Sequence, residues 1–176
     1  MKFILKKKIY FKTFITKKIS NKLLKKILNL KKEHYKFTYN NQLNWFKKNI
    51  KLYDLHNLTF YNNNLIGYTC LRFSEITNNN HTRKVFLFDT CVIKKKFRGY
   101  GIGRKIMLYN NKIIRKENIP AILLCKKDLA NFYIKFDWKQ INKKKIFFTD
   151  HKTKKLKLFG KNFKISSKSN YKIKLN

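Results

Sequence analysis

Three of the five glycines in this chain of 176 residues fall within positions 98–103, which read Arg-Gly-Tyr-Gly-Ile-Gly. Glycine adopts positive φ at little cost and lets a ligand approach the backbone more closely than a side chain permits. A turn that opens a helix also directs several backbone N–H groups toward one point, beside the positive end of the helix dipole. The segment therefore predicts a site for an anion, most naturally a phosphate or pyrophosphate. A tight turn without a ligand is the alternative.

The residues on either side of the glycine turn predict the secondary-structure elements that position it. An apolar run predicts a strand before it, and apolar residues at helical spacing predict a helix after it. Ser20 is placed to cap an earlier helix, and the asparagines at 62–64 suit the left-handed residues of a hairpin. The predicted order is strand 9–15, helices 21–35 and 41–50, strands 55–61 and 65–73, polar loop 75–83, strand 84–93, helix 104–117, strand 121–125, helix 128–136, and a final hairpin or extended pair, 138–141 with 145–149. This order indicates an α/β (α+β) domain with an antiparallel half and one βαβ unit.

The chain is strongly basic, with 44 Lys and Arg against 8 Asp and Glu and a formal net charge of +36. Such a charge predicts attraction to polyanions. However, abundant Lys, Asn, Ile, Phe and Tyr with scarce Gly and Pro is also what an AT-rich genome produces, and the lysines are spread along the whole chain. We therefore expect weak polyanion binding and no specific nucleic-acid partner.

Apolar residues make up 43% of the chain, which is enough for one core. We expect a single domain over 1–150 and a basic, partly ordered C-terminal extension over 151–176. No signal peptide is evident, and no segment approaches the ~18 apolar residues of a membrane span. The widely spaced Cys70, Cys91 and Cys125 form neither a disulfide framework nor a zinc pattern. These features predict a cytoplasmic protein with reduced cysteines, no metal and no membrane span.

A second motif lies at residues 128–138, which read Asp-Leu-Ala-Asn-Phe-Tyr-Ile-Lys-Phe-Asp-Trp. This segment resembles the N-F-Y-x-K-x-G-F/W signature of the GCN5-related N-acetyltransferase superfamily. Arg98, Gly101 and Gly103 resemble that family's acyl-CoA loop, R/Q-x-x-G-x-G/A, and the resemblance covers about 55–149. The departures are Asp137, where the family has glycine, and three lysines at 94–96. Because aspartate tolerates left-handed geometry, the turn at Asp137 can still form.

The resemblance implies a mixed central sheet of six or seven strands with about four helices, splayed between the fourth and fifth strands. It also implies that acetyl-CoA, or another acyl-CoA, is the co-substrate and lies in that wedge. The amides of 99–104 are expected to hold its pyrophosphate, and the backbone of 91–93 its pantetheine arm. The implied cofactor-binding residues are Cys91, Val92, Ile93, Arg98, Gly99, Tyr100, Gly101, Ile102, Gly103, Arg104 and Asn131.

Amide formation by direct transfer needs a deprotonated amine, a polarised thioester carbonyl and a proton for the leaving thiolate. Tyr133 matches the family tyrosine whose hydroxyl reaches the sulfur, so it is the candidate general acid, with a packed aromatic as the alternative. In the strand before the glycines, alternation places Asp89 on the same face as Leu87, Cys91 and Ile93. Asp89 is the candidate base, acting directly or through a water, unless it simply pairs with a lysine.

Three further residues are candidates for binding the acceptor: Asp54 and His56 at the start of the second strand, and His34 near the end of the first helix. A structural role is the alternative for each of them. Nucleophilic catalysis by Cys91 is not expected, because no base is placed in the sequence to activate it.

Together these expectations describe an N-acetyltransferase that transfers an acetyl group from acetyl-CoA to a primary amine by direct attack within a ternary complex. We expect a small acceptor, such as an amino sugar, an aminoglycoside or a polyamine, and a monomer or homodimer. The alternatives are a protein N-acetyltransferase, or a non-catalytic basic module on the same fold that binds nucleic acid or ribosomes.

Overall fold

The structure is a computed structural model, and it describes residues 9–78, 81–142, 146–148, 156–163 and 170–173. Within these ranges the chain forms four α-helices and nine strands, with short 3₁₀ turns between some of them. In chain order they are β1 (Ile9–Ile15), α1 (Asn21–Lys32), α2 (Tyr39–Asn49), β2 (Leu55–Tyr61), β3 (Asn64–Asn78), β4 (His81–Ile93), α3 (Ile102–Glu117), β5 (Ala121–Cys125), α4 (Ala130–Ile134), β6 (Lys139–Gln140), β7 (Ile146–Phe148), β8 (Lys157–Lys161) and β9 (Tyr171–Ile173).

The strands form a mixed sheet in the order β1-β2-β3-β4-β5-β8-β6, and β9 pairs with both β3 and β7. Neighbours β1, β2 and β3 are antiparallel, whereas β4 and β5 are parallel. Among the described residues the parallel pairing covers only Phe86–Ala121 and Leu87–Ile122, although both strands continue beyond it. The mixed sheet and the four helices confirm the predicted fold class. None of the described helices is both long and apolar enough to cross a membrane.

The chain divides into two compact units, Met1–Leu71 with Thr90–Asn110, and Arg72–Asp89 with Asn111–Asn176. In the first unit, α1 begins where predicted, because the Leu23 amide donates to the Ser20 hydroxyl at 3.3 Å. A buried cluster joins this helix to the strands: Ile27, Leu30, Leu58, Tyr68, Cys70 and Val92. A second cluster seats the start of α3 on the sheet: Ile66, Ile102 and Ile106.

Polar side chains form a row across the first three strands, buried at Asn57 and Thr69 and exposed at Thr13. Thr13, Asn57 and Thr69 are register neighbours on β1, β2 and β3. The Oδ1 atom of Asn110, on α3, accepts from Asn57 Nδ2 at 2.7 Å and from the Thr69 hydroxyl at 3.0 Å, while Asn110 Nδ2 donates to the Ile106 carbonyl at 2.8 Å. Because each amide atom has a partner, the row fixes α3 on the sheet without a desolvation penalty.

The hairpin between β2 and β3 turns on two left-handed asparagines, Asn62 with φ 47° and Asn63 with φ 61°. Successive positive φ angles match the twist of the paired strands, and asparagine tolerates them better than most residues. This confirms the hairpin predicted from the sequence.

Two local predictions were wrong. Residues 75–83 were predicted as a loop, but β3 continues to Asn78 and β4 starts at His81. The pair predicted at the end of the domain does not form in the described residues, since β6 pairs with β8 and β7 pairs with β9. The end of β3 pairs with β9, β6 pairs with β8 and β7 pairs with β9, so partners distant in sequence supply hydrogen bonds that local residue type does not encode.

In the second unit, the core includes strands from the predicted C-terminal extension. β8 pairs antiparallel with all five residues of β5, and β9 pairs with the end of β3. The buried cluster there is Ile76, Val85, Leu87, Ile122, Ile141, Ile146, Leu158, Tyr171 and Ile173. These two strands account for the excess over the six or seven predicted. The division at residue 150 remains a prediction.

We expect Gly160→Ala to lower the free energy of unfolding by about 1–3 kcal/mol. A Cβ atom at Gly160 would lie 2.6 Å from Ile141 Cδ1 and 2.8 Å from Phe163 Cβ, and the latter moves only with its backbone. Urea unfolding followed by circular dichroism measures the change. Lys139→Ala, at an exposed position paired with Gly160, is the control and should change stability by less than about 0.5 kcal/mol. Equal stability of Gly160→Ala and the unaltered protein would contradict this packing.

Candidate functional site

The glycine turn leads directly into a 16-residue helix. Gly99 has φ 83° and Gly101 has φ 71°, and α3 begins at Ile102. The Lys105 amide donates to the Gly101 carbonyl at 3.3 Å. The amides of the first helical turn precede such intrahelical bonds and point out of the helix end, where the dipole is positive. No acidic side chain lies in this first turn.

The space around these two glycines differs from that around two others in the chain. A Cβ atom built at Gly99 or Gly101 would have no atom within 4 Å. At Gly67 it would lie 2.9 Å from Ile106 Cδ1, and at Gly160 it would lie 2.6 Å from Ile141 Cδ1. The protein's own atoms therefore exclude a side chain at Gly67 and Gly160 but leave room for one at Gly99 and Gly101.

The cations around the turn make specific contacts. Arg98 Nε donates to the Ile93 carbonyl at 3.1 Å, and its terminal nitrogen lies 3.0 Å from His34 Nδ1. A guanidinium can only donate, so His34 Nδ1 is the acceptor and that nitrogen carries no proton. Lys94 forms a half-exposed ion pair with Glu33 at 3.8 Å. The structure thus brings two predicted residues, His34 and Arg98, together at the segment that follows α1.

The strand before the turn is interrupted at Thr90, which has φ 54°. A β-branched residue rarely adopts this left-handed conformation, so Thr90 is an outlier within β4. The regular alternation of side chains predicted for this strand is therefore interrupted at Thr90, between Asp89 and Cys91. After the interruption, Cys91 and Ile93 pack with Ile102 and Ile106 of α3.

Cys91 is a poor nucleophile in this environment. Burial raises the pKa of its thiol to about 12, because the apolar surroundings disfavour the thiolate. The thiol therefore stays protonated at neutral pH. Its side chain is packed, as are those of Val92 and Ile102, so these three residues offer a ligand mainly their backbone.

Asp89 lies at the end of the β4 segment that belongs to the second unit. One carboxylate oxygen is 3.4 Å from the Arg72 guanidinium, and the Asp89 side chain is about 30% exposed while that of Arg72 is buried. The carboxylate therefore has a cationic partner, although the partner is an arginine and not the lysine considered from the sequence. Asp89 remains partly accessible.

Tyr133 lies on the short helix α4 and is buried among aromatic rings. Its ring centroid lies 5.2 Å from Phe132, 6.3 Å from Phe88 and 6.4 Å from Trp138. Asn131, the other predicted residue of this helix, is exposed. The structure confirms the expected turn after the helix, since Asp137 has φ 60° where the resembling family has glycine.

Asp54 and His56 are both fully buried. Asp54 Oδ2 accepts from the Lys51 amide at 2.8 Å. The His56 ring lies between two hydroxyls, with Nε2 2.8 Å from Thr16 Oγ1 and Nδ1 2.8 Å from the Tyr68 hydroxyl. Burial, with a smaller contribution from the charge of Lys31, lowers the pKa of His56 to about 4. Their role in binding an acceptor remains a prediction.

Two buried polar residues near Tyr133 were not identified from the sequence. Asn111 Nδ2 donates to the Phe136 carbonyl at 3.0 Å, and Lys161 Nζ donates to the same oxygen at 3.1 Å. Asparagine and lysine are both abundant in this chain, so the sequence does not mark Asn111 or Lys161 as special. Only their contacts in the structure do so. Among the described residues, no group of three His, Cys, Asp or Glu side chains is arranged to hold a metal ion.

No profile of a known protein family matches the sequence, and neither does any curated protein. Solved structures do share the fold. The GNAT-family N-acetyltransferase YhbS from Escherichia coli, in complex with CoA, has 10% identity and a TM-score of 0.67 over 97% of this chain and 91% of its own. An acyl-CoA N-acyltransferase from Pseudomonas aeruginosa has 14% identity and a TM-score of 0.63 over 87% and 97% of the two chains.

The PaiA N-acetyltransferase from Thermoplasma acidophilum, in complex with coenzyme A, has 16% identity and a TM-score of 0.56 over 88% of this chain and 98% of its own. At such low identity these likenesses establish the fold alone. The chain therefore has the GCN5-related N-acetyltransferase fold, which confirms the fold that the two sequence motifs predicted.

We expect His56 to make the protein less stable in acid. Its pKa is about 4 when folded and about 6.5 when unfolded, so its contribution is complete above pH 6.5 and is lost as pH falls toward 4. The loss approaches roughly 3 kcal/mol below pH 4. Urea unfolding at pH 7.5 and pH 4.0 measures it, with His56→Gln as the control, because glutamine does not titrate. Parallel pH dependences in the two proteins would rule out this effect.

Proposed function

We propose that this chain is an acyl-CoA-dependent N-acetyltransferase that transfers the acetyl group of acetyl-CoA to a primary amine. The acyltransferase-like fold, the glycine turn and the Asn131-Phe132-Tyr133 helix support the proposal together. The donor-binding residues are those of segments 91–93 and 98–104 with Asn131, and the catalytic residues are Tyr133 and Asp89.

One observation carries the donor site: the open space beside the two glycines at positive φ that precede α3. Elsewhere in the described residues six residues that are not glycine adopt positive φ: Asn62, Asn63, Thr90, Asn118, Asp137 and Asn162. At Gly99 and Gly101 the chain retains glycine, although a side chain would meet no protein atom. The positive φ angles favour glycine, but packing within the protein leaves an open space beside the backbone. A ligand pressed against the backbone accounts for it.

The charge beside the turn indicates an anionic ligand. Basic side chains near a helix N-terminus are unfavourable, because the dipole is positive there. Arg104 and Lys105 nevertheless follow Gly101 in the first turn of α3, and Arg98 lies just before it. A pyrophosphate bound to the backbone amides relieves this repulsion and is the group that acyl-CoA supplies.

In the proposed reaction, the amine nitrogen attacks the thioester carbonyl carbon. The new C–N bond forms as the C–S bond breaks, and the acetamide and free CoA thiol are the products. Asp89 takes the proton that the amine loses, directly or through a water, and the Tyr133 hydroxyl donates a proton to the departing sulfur. These two roles come from the resemblance of the second motif and from residue chemistry. The high pKa of Cys91 favours direct transfer over an acyl-cysteine intermediate.

We propose a small primary amine as the acceptor. Asp54, His56 and His34 are the proposed acceptor-binding residues; the first two are buried and His34 contacts Arg98. A panel that contains an amino sugar, an aminoglycoside, a polyamine and a peptide with a free amino group distinguishes the acceptor classes. Release of CoA thiol, followed with a thiol reagent, is the measurement.

Acetyl-CoA binding tests the donor site through a pair of substitutions at Gly101. Gly101→Ala and Gly101→Trp carry the same backbone strain at φ 71°, but only tryptophan fills the open space. We expect the dissociation constant for acetyl-CoA, measured by isothermal titration calorimetry, to rise at least tenfold more in Gly101→Trp than in Gly101→Ala. Thermal unfolding verifies that both variants are folded. Undiminished affinity in Gly101→Trp would show that the ligand does not occupy this turn.

Tyr133→Phe tests the proposed acid. General acid catalysis typically contributes 10²–10⁴-fold, so we expect kcat to fall about a hundredfold while the affinity for acetyl-CoA changes less than about twofold. The control is Tyr10→Phe, which removes a hydroxyl that bonds Asn63 on the exposed hairpin and should leave kcat unchanged. If Tyr133→Phe retains full turnover, the hydroxyl is not the acid.

A further inference from the structure

The backbone turn after α4 is held by two side chains that converge on one oxygen. The Phe136 carbonyl accepts from Asn111 Nδ2 at 3.0 Å and from Lys161 Nζ at 3.1 Å. Both donors come from elsewhere in the second unit, Asn111 from α3 and Lys161 from β8. Phe136 is buried and lies two residues beyond the end of α4, and a buried backbone carbonyl needs a hydrogen-bond partner.

Lys161 is unusual because it is almost completely buried. Its side chain is only about 10% exposed, whereas its ion-pair partner, Asp137, is 88% exposed. An ion pair with so exposed a partner contributes little to stability. Burying an ammonium group is unfavourable unless it is well hydrogen-bonded, so the contact with the Phe136 carbonyl is the one that compensates it.

The same turn fixes Tyr133. The Tyr133 carbonyl accepts from the Phe136 amide at 2.9 Å and from the Trp138 amide at 3.4 Å. The Trp138 indole donates to Asn111 Oδ1 at 3.1 Å, and its ring packs against Tyr133. A helix of only five residues cannot hold its own geometry in water, so these contacts determine where Tyr133 lies.

We propose that Lys161, acting together with Asn111, is a positioning residue for Tyr133. The proposal rests on the proposed function, in which the Tyr133 hydroxyl donates a proton to sulfur. A general acid must lie within hydrogen-bond reach of its target, and a displacement of about 1 Å can lower turnover a hundredfold. Lys161 acts on catalysis by clamping the turn that carries Tyr133, and it does not itself contact the reacting atoms.

Lys161→Met tests the clamp, since methionine is of similar size but cannot donate to the Phe136 carbonyl. We expect kcat to fall about tenfold while KM for acetyl-CoA changes less than twofold. Lys161→Arg, which retains donors and charge, should recover at least half of the lost factor. Lys161→Gln is a second variant that lacks the contact, because the shorter glutamine side chain does not reach the Phe136 carbonyl. The test needs only one of these two variants to fold. Lys139→Met, at an exposed position on β6, is the matched control and should leave kcat unchanged.

A double-mutant cycle with Tyr133→Phe separates positioning from general destabilisation. If Lys161 acts through the Tyr133 hydroxyl, Lys161→Met has less than a twofold effect on kcat once that hydroxyl is absent. If the full tenfold effect persists in the Tyr133→Phe background, the positioning role is overturned while the proposed acid stands. If Tyr133→Phe alone has no effect, the acid role in the proposed function fails, and the positioning role fails with it.

Discussion

Two adjacent asparagines in the middle of α3 each bind a different part of the chain through side-chain hydrogen bonds. Asn110 bonds Asn57 and Thr69 on neighbouring strands, and Asn111 bonds the Phe136 carbonyl and the Trp138 indole. Both are buried, so losing a partner would leave a polar atom desolvated at a cost of about 1–3 kcal/mol. Apolar packing tolerates small shifts of a helix, whereas these bonds do not. Asn110 fixes the first half of α3, the helix whose first turn follows the glycines, on β2 and β3, and Asn111 ties its own unit's part of α3 to the turn after α4.

Local features were the ones that the sequence could predict. Ser20 caps its helix through its own hydroxyl, and Asn62 and Asn63 form the hairpin through their own tolerance of positive φ. Asp137 adopts the left-handed conformation for the same reason. In each case the residue type that allowed the prediction is also the residue that forms the cap or the turn. The glycine turn was also predicted from its own residues. The open space beside Gly99 and Gly101 was not predicted and is seen only in the structure.

The features that the sequence did not predict depend on distant partners. Thr90 adopts a conformation that its own type disfavours, so tertiary packing must impose it. The pairing of β8 with β5 and β6 rests on backbone hydrogen bonds that any residue can make. Lys161 is one of 44 basic residues, and nothing in its neighbourhood in sequence marks it as buried. Sequence reasoning therefore identified the residues of the two motifs and missed those that support them.

The position of β8 has a consequence for the order in which the protein can be made. Residues 157–161 lie between β5 and β6 in the sheet, and residues 171–173 bridge β3 and β7. A ribosome adds about 5–20 residues per second, so β3 and β5 leave it seconds before the strands that cover their edges. During that interval the nascent chain presents unpaired strand edges, which are sites of aggregation. The high positive charge of the emerging chain opposes such association.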